Sequence, residues 1–207
     1  MPPCSSRRSA VGLPGVLCQI TWSTAAGELV AIEPRSDELA RHAATLAAAY
    51  NDPHNAPLLG HTDDVDDDDV IAHYEDVAAA GGRNFLVFLD GALVADADLR
   101  KVGGGAAEFA FLVASPAAQG KGLGTRIATM IHAFGFARLG LDRIYASIIP
   151  DNTASRRVFE KLGYHEDASP VARAYADEPG DITMAIDRTT FERMHAQAMA
   201  EIGIAVR

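Results

Sequence analysis

The stretch from residue 108 to residue 124, EFAFLVASPAAQGKGLG, limits the possible folds of this chain more than any other. Its apolar first half predicts a strand, and its second half predicts a glycine-rich loop that leads into a helix. Such a unit forms a cradle for phosphate, because glycines let the backbone approach a ligand and the free amides at a helix start attract negative charge. We therefore expect a phosphorylated ligand at this loop.

The pattern on either side of this stretch predicts an α/β fold. Asp90 and Gly91 form a turn signal that pairs two strands as an antiparallel hairpin. Strands are expected at 27–34, 84–90, 93–102, 106–114, 143–149 and 181–186, and helices at 37–50, 70–80, 125–139, 151–162 and 190–202. Strands interleaved with helices in this order indicate a mixed sheet, flanked by helices, in one layered domain.

The composition excludes several classes of protein. The chain has 18 Lys and Arg against 28 Asp and Glu, a formal net charge of −10, which argues against non-specific nucleic-acid binding. Cys4 and Cys18 show no metal-ligand spacing, so no metal site is expected, and two cysteines fit the reducing cytoplasm. No apolar run reaches the roughly 18 residues of a membrane span, so no membrane partner is expected.

The ends of the chain are expected to differ from its middle. Gly12, Pro14 and Gly15 interrupt the apolar part of residues 1–25, which favours a poorly ordered extension over a secretion signal. Residues 26–190 are then expected to form the domain, and residues 190–207 a C-terminal helix.

Three kinds of phosphate loop compete for residues 119–124. A P-loop needs a serine or threonine after its lysine, and the sequence around Lys121 does not supply one. A dinucleotide-binding loop has the spacing GxGxxG, whereas the spacing here is GxGxG. The third pattern is Gln-x-x-Gly-x-Gly, which Gln119, Gly122 and Gly124 provide.

A second motif lies downstream at residues 152–164, NTASRRVFEKLGY, with an asparagine, a short helix and a Lys-x-Gly-Tyr ending. In their order and spacing, the two motifs resemble the signatures of the GNAT acetyltransferase superfamily. The second motif is most similar to that of the branch containing ribosomal-protein N-terminal acetyltransferases. The resemblance covers about residues 28–187, and it implies a mainly antiparallel central sheet with one splayed pair of strands.

The resemblance also implies acetyl-CoA as the co-substrate. The pantetheine arm is expected at main-chain groups around Leu112 and Val113. Backbone groups of the loop are expected to hold the pyrophosphate, namely those of Gln119, Gly120, Lys121, Gly122, Leu123, Gly124 and Thr125. Lys121 adds a cation or is only a solvated loop lysine. Asn152, Ser155 and Phe159 complete the expected cofactor-binding residues, although an asparagine there also suits a helix cap.

Direct transfer of an acetyl group to an amine needs a base for the amine and an acid for the thiolate. Glu108 is the predicted base, since it matches the general-base position of the histone-acetyltransferase branch; a carboxylate that only faces water is the alternative. Many relatives carry a tyrosine acid where this chain has Phe159, which cannot donate a proton. Ser155 is therefore the predicted acid, with Tyr145 and Tyr164 as weaker candidates.

The acceptor side is expected within residues 40–80. His54, His61 and His73 are candidate bases or solvated histidines, and the aspartates of residues 63–69 attract a cationic amine or form a solvated face. The predicted function is direct acetylation of a primary amine on a small molecule or a peptide N-terminus, since no cysteine for an acyl-enzyme lies in the domain. The alternative is a non-catalytic acyl-CoA-binding protein. The resemblance suggests a homodimer as the assembly.

Overall fold

In residues 16–60 and 63–207, which the computed structural model describes, nine strands form a single sheet. The strands are β1 (Cys18–Thr24), β2 (Gly27–Ile32), β3 (Arg83–Leu89), β4 (Ala92–Gly103), β5 (Ala106–Val113), β6 (Arg143–Ile148), β7 (His165–Glu166), β8 (Ile182–Asp187) and β9 (Gly203–Val206). Their order across the sheet is β7-β8-β6-β5-β4-β3-β2-β1-β9. The prediction of a mixed, mainly antiparallel sheet is confirmed, since β5 and β6 are parallel and the other pairs antiparallel.

Helices cover both faces of this sheet. They are α1 (Ser36–Tyr50), α2 (Ala56–Leu59), α3 (Asp67–Ala79), α4 (Leu123–Ala137), α5 (Thr153–Leu162), α6 (Pro170–Arg173), α7 (Arg188–Met194) and α8 (Ala196–Glu201). The largest apolar cluster joins α4 to one face through side chains such as Phe85, Phe109 and Phe134. A second cluster joins α1 and α3 to the other face around Leu86. No helix in this described part of the chain is both long and apolar enough to cross a membrane.

The aspartate run has a local role at the start of α3. The side chain of Asp66 accepts a hydrogen bond from the amide of Asp69, and the Asp69 side chain accepts one from the amide of Asp66. This capping box satisfies two donors that a helix start otherwise leaves unpaired, and the acidic first turn suits the positive end of the helix. The helix therefore begins three residues before the predicted position.

The structure differs from the expectations for both ends of the domain. Residues 18–24, inside the expected poorly ordered extension, form β1, because Ile20 is fully buried and the strand pairs with β2. Residues 1–15 lie outside the described residues. The expected helix at 190–202 is divided into α7 and α8 around His195, and the chain then forms β9 against β1. This last strand supplies the partner that the outer edge of β1 would otherwise lack.

Candidate functional site

The glycine-rich loop has the backbone that the sequence predicts for a phosphate cradle. Gly120 and Gly122 have φ values of 74° and 76°, a left-handed conformation that side chains disfavour. α4 begins directly after Gly122, and its first turn leaves backbone amides free of helical partners. Gly124 packs closely, because a Cβ there would lie 3.0 Å from the ring of Phe111 and that ring would have to shift. The loop and the 15-residue helix therefore present donors for an anion.

One side chain from each motif bonds to the segment around α2. The Gln119 side chain donates hydrogen bonds to Asn55 Oδ1 at 2.9 Å and to the Val113 carbonyl at 3.1 Å. The Asn152 side chain donates to the Leu58 carbonyl at 3.0 Å and accepts from the Ser155 amide at 2.9 Å, so it also caps α5. The two side chains thus fix the position of the backbone segments that they bond to. Because the Gln119 side chain is used in this way, Gln119 can contact a ligand only through its main chain.

β5 and β6 separate next to the loop, and a cavity opens beside the gap. Their parallel pairing ends at Glu108 and Tyr145, so the strands diverge beyond these residues. The cavity has a volume of about 480 Å³. Its lining from the diverging strands consists of Phe109, Ala110, Phe111, Leu112, Ser147 and Ile148. Peptide groups of β5 on the open edge can therefore bond to an extended ligand in the gap.

Glu108 lies below this cavity and does not line it. Its side chain is fully buried, with Oε1 accepting a hydrogen bond from Arg100 at 2.9 Å. Oε2 lies 2.9 Å from Lys101 Nζ, a close charge contact outside hydrogen-bond geometry. Burial raises the pKa of Glu108, and the two cations oppose that rise.

A bulge in β4 explains how two consecutive residues reach one carboxylate. Neighbouring side chains of a regular strand point to opposite faces. The register between β4 and β5 shifts after Arg100, and Lys101 has a left-handed φ of 51°. This irregularity turns Lys101 to the same side as Arg100. Both cations also contact Asp177, so the network fastens the segment after α6 over Glu108.

The polar floor of the cavity comes from alternate residues of β4. Asp96, Asp98 and Arg100 all line it, and Asp98 lies directly across from Ala110 of β5. Asp98 Oδ2 is 3.2 Å from Nε2 of His73, a cavity-lining residue of α3 whose side chain is 40% exposed. Hydrogen bonding to Asp98 raises the pKa of His73. Asp98 and His73 thus form a charge-coupled pair that faces the space beside the open strands.

Asp96 is more deeply buried than Asp98. Only 5% of the residue is exposed, and its carboxylate accepts a short hydrogen bond from the Tyr50 hydroxyl. Burial raises the pKa of Asp96 to about 6. The cavity therefore keeps a carboxyl group whose charge is costly in the absence of a cation.

The second motif contributes the other wall. Asn152, Ser155 and Phe159 all line the cavity. Phe159 is nearly fully buried and packs edge-on against Phe109 and Phe111, which suits an aromatic ring without a hydroxyl. The Ser155 side chain belongs to the first turn of α5 and is half-buried at the surface of the cavity.

The remaining candidates lie in other surroundings. The hydroxyl of Tyr164 is buried against His132, and Tyr145 stacks on Tyr175 with ring centroids 4.2 Å apart. His54 bonds to the Gln119 side chain at 3.1 Å, and His61 lies outside the described residues. No group of three or more His, Cys, Asp or Glu within residues 16–60 and 63–207 is arranged to hold a metal ion.

Four residues of the cavity were not among those predicted from the sequence, namely Tyr50, Asp96, Asp98 and Arg100. A signal was present, because β4 carries charged residues at every second position from 96 to 100. With the two-residue period of a strand, these side chains share one face, and cross-strand pairing places them on the same face as Glu108 and Ala110. A charged row inside an otherwise apolar sheet indicates a site rather than core.

Comparison with known proteins agrees with this architecture. The model of the acetyltransferase (GNAT) domain family matches residues 34–165, more than half of the chain. Mycobacterium smegmatis RimJ, solved in complex with CoA-disulfide, is 21% identical and superposes with a TM-score of 0.67. The match covers 92% of this chain and 97% of that protein.

Two further solved structures show the same fold. The aminoglycoside acetyltransferase AAC(6')-Ib in complex with coenzyme A is 21% identical, with a TM-score of 0.65, over 75% of this chain and 95% of that one. The spermidine N-acetyltransferase of Vibrio cholerae, in complex with CoA and spermine, is 18% identical, with a TM-score of 0.63, over 79% and 97%. At these identities the likeness shows the fold, and the acceptor of this chain has to be argued from its own residues.

Proposed function

Because this chain belongs to the GNAT acetyltransferase family, we propose that it transfers an acetyl group from acetyl-CoA directly to a primary amine of a small molecule or a peptide N-terminus. One observation carries the proposal: the gap between β5 and β6 opens into a cavity that contains the Asp98–His73 pair. A thioester donor and an amine acceptor thus have adjoining sites. The CoA complexes of related folds support the choice of donor.

The residues around the gap fit the parts of acetyl-CoA. The backbone of β5 at Leu112 and Val113 suits the amide groups of the pantetheine arm. Left-handed glycines and the start of α4 suit the pyrophosphate, with backbone groups of residues 119–125 as donors. Arg126 adds a cation beside the exposed Lys121, because its guanidinium donates to the Lys121 carbonyl at 3.2 Å. These contacts bind and orient acetyl-CoA, while the groups that transfer protons lie in the cavity.

The amine proton has two candidate acceptors. Glu108 as the base stays a prediction, and its position beneath Arg100 separates it from the cavity. The geometry favours His73, oriented by Asp98, because it lines the cavity and is partly exposed to solvent. A carboxylate partner that raises the pKa of a histidine brings it nearer to physiological pH, where a general base is most effective. In this proposal Glu108 instead positions Arg100.

The transfer balances with groups that line the cavity. The amine nitrogen bonds to the thioester carbon, the carbon–sulfur bond breaks, and the amine proton passes to His73. The departing thiolate takes a proton that the Ser155 hydroxyl relays from solvent water, since Phe159 has none to give, and the His73 imidazolium returns the amine proton to solvent. Cys18 is buried in β1 and does not line the cavity, which favours transfer without an acyl-enzyme.

A thiol-release assay with acetyl-CoA tests this function against amino acids, aliphatic amines, aminoglycosides and N-terminal peptides. We expect His73→Gln to lower kcat about 10²- to 10⁴-fold, the usual contribution of a general base, while CoA binding persists. With the wild type, kcat/KM should rise with pH through the raised pKa of His73, because the base must be deprotonated. Asp68→Asn on the exposed side of α3 is the matched control.

The outcomes separate the two candidate bases and the non-catalytic alternative. A large loss of kcat in Glu108→Gln, with a normal rate in His73→Gln, would return the role of base to Glu108. Protein that binds CoA but releases no thiol with any amine would instead be an acyl-CoA-binding module. The phenylalanine at position 159, where a proton donor is common in the family, is the observation that favours this second candidate.

A further inference from the structure

The cavity floor contains a row of buried polar atoms without hydrogen bonds. They are Oδ1 of Asp96, Oδ1 of Asp98 and Nε of Arg100, at alternate positions of β4. The nearest charged contact within this row, between Asp98 Oδ1 and Arg100 Nε, is 3.7 Å long and exceeds hydrogen-bond range. Buried polar groups nearly always have partners, so a row that lacks them indicates a place for a ligand.

Asp96 is the most informative member of this row. Tyr50 donates to one carboxylate oxygen, and the buried Tyr74 hydroxyl lies close enough to interact with the carboxylate, although neither that hydroxyl nor Oδ1 of Asp96 has a well-formed hydrogen bond. Oδ1 thus remains without a donor in a residue that is 5% exposed and lines the cavity. An ammonium group would satisfy this oxygen and offset the cost of the buried charge, which a neutral hydroxyl would do only in part.

The remaining lining is acidic and apolar. Carboxyl groups line the cavity at Asp69, Asp96, Asp98, Asp177, Glu178 and Asp181, against the cationic Arg100 and the titratable His73. The walls between them are apolar and include Leu58, Leu59, Val65, Val70, Leu112 and Ile149. Such walls suit methylene chains, whereas the hydroxyl groups of a sugar would lose their hydrogen bonds there.

We propose that the acceptor is a linear aliphatic diamine or polyamine, with its reacting amine at the Asp98–His73 pair and a second, unreacted ammonium group at Asp96. The proposal rests on the proposed function and adds the class of acceptor. Asp96 and Asp98 lie two residues apart on one strand face, so their side chains are separated by about 7 Å. This separation selects for a second ammonium at a fixed distance from the first.

Steady-state kinetics with paired substrates test the subsite. The series runs from 1,3-diaminopropane to 1,8-diaminooctane, and each diamine is compared with the monoamine of equal carbon number. We expect one chain length to be preferred over its monoamine by about 10-fold or more in kcat/KM, the effect of one additional ionic hydrogen bond. Asp96→Asn should reduce that preference about 10-fold, whereas Asp68→Asn should preserve it.

Calorimetric titration of the preferred diamine into the CoA complex separates this proposal from the proposed function. A dissociation constant that rises about 10-fold in Asp96→Asn supports the subsite even if turnover is absent. Equal use of diamines and monoamines, or an unchanged preference in Asp96→Asn, overturns the subsite and leaves the acetyltransferase intact. A clear preference for aminoglycosides or peptides overturns the linear class. If no amine is acetylated and no diamine binds, both the subsite and the proposed acetyltransferase function are overturned.

Discussion

Replacement of Asp96 by asparagine is expected to stabilise the protein at neutral pH. The wild-type carboxyl group has a pKa of about 6 in the folded protein, against an ordinary value of 3.8, because burial disfavours its charged form. Asparagine removes the ionisation and can still accept the hydrogen bond from Tyr50. The difference in unfolding free energy between the two proteins thus measures how much the charged carboxylate destabilises the fold.

The magnitude follows from the difference between the two pKa values. Each pKa unit corresponds to about 1.4 kcal/mol, so a rise from 3.8 to about 6 costs the charged form about 3 kcal/mol. A raised pKa in the folded state gives stability that is fully present below pH 3.8 and is lost as the pH rises through 6. The advantage of Asp96→Asn should therefore grow by about 3 kcal/mol across this window.

Among the groups that face Asp96, one is coupled to its titration. Asp96 is faced by the hydroxyls of Tyr50 and Tyr74, by Asp98 and by His73. The tyrosine pKa values are raised well above 10, so both hydroxyls stay protonated, whereas the Asp96 carboxylate contributes to the raised pKa of His73, and part of the pH-dependent difference arises from that histidine.

Urea unfolding of both proteins between pH 4 and pH 8, followed by the fluorescence of the single tryptophan, Trp22, measures the effect. Asp68→Asn, which removes an exposed carboxylate, should show no such pH-dependent gain. A difference between wild type and Asp96→Asn that stays within about 0.5 kcal/mol over the whole range would refute the buried-charge reasoning. A diamine that stabilises wild type but not Asp96→Asn would link this cost to the subsite.

Two further substitutions test the supports of the site. Glu108→Gln should lower the free energy of unfolding by about 3 kcal/mol in urea titrations, because it removes the fully buried partner of two cations. As a control, Glu160→Gln removes a carboxylate from an exposed pair and should cost under about 0.5 kcal/mol. Equally small losses in both variants would contradict a stabilising role for Glu108. Gly124→Ala should weaken CoA binding while stability changes by less than about 1 kcal/mol, because the added Cβ displaces the Phe111 ring whereas alanine favours the helix by about 1 kcal/mol. Gly103→Ala meets nothing within 4 Å, and an equal loss of CoA binding there would argue against a packing cause.

The elements that the sequence predicted correctly are those with local signals. The β3–β4 hairpin depends on Asp90 and Gly91, and the start of α4 depends on glycines at 120 and 122 that adopt the left-handed conformation. In contrast, β1 contains the β-branched residues Ile20, Thr21 and Thr24 but stands among glycines, prolines and arginines, which favoured an extension. Its place in the sheet depends on pairing with β9, at the far end of the chain, and no local pattern reports that pairing.

The cavity beside β5 and β6 was harder to predict for the same reason. Asp98 meets His73 from 25 residues away, and Arg100 meets Asp177 from 77 residues away. Each contact requires the sheet and its covering helices to be assembled first, whereas the loop at residues 119–125 is set by its own backbone. This division has a consequence for function. A donor site fixed by local backbone can be kept while side chains of distant elements change, so chains of one fold can share a donor and differ in acceptor. The specificity of this protein should therefore respond to Asp96, Asp98 and His73 far more than to any residue of the glycine loop.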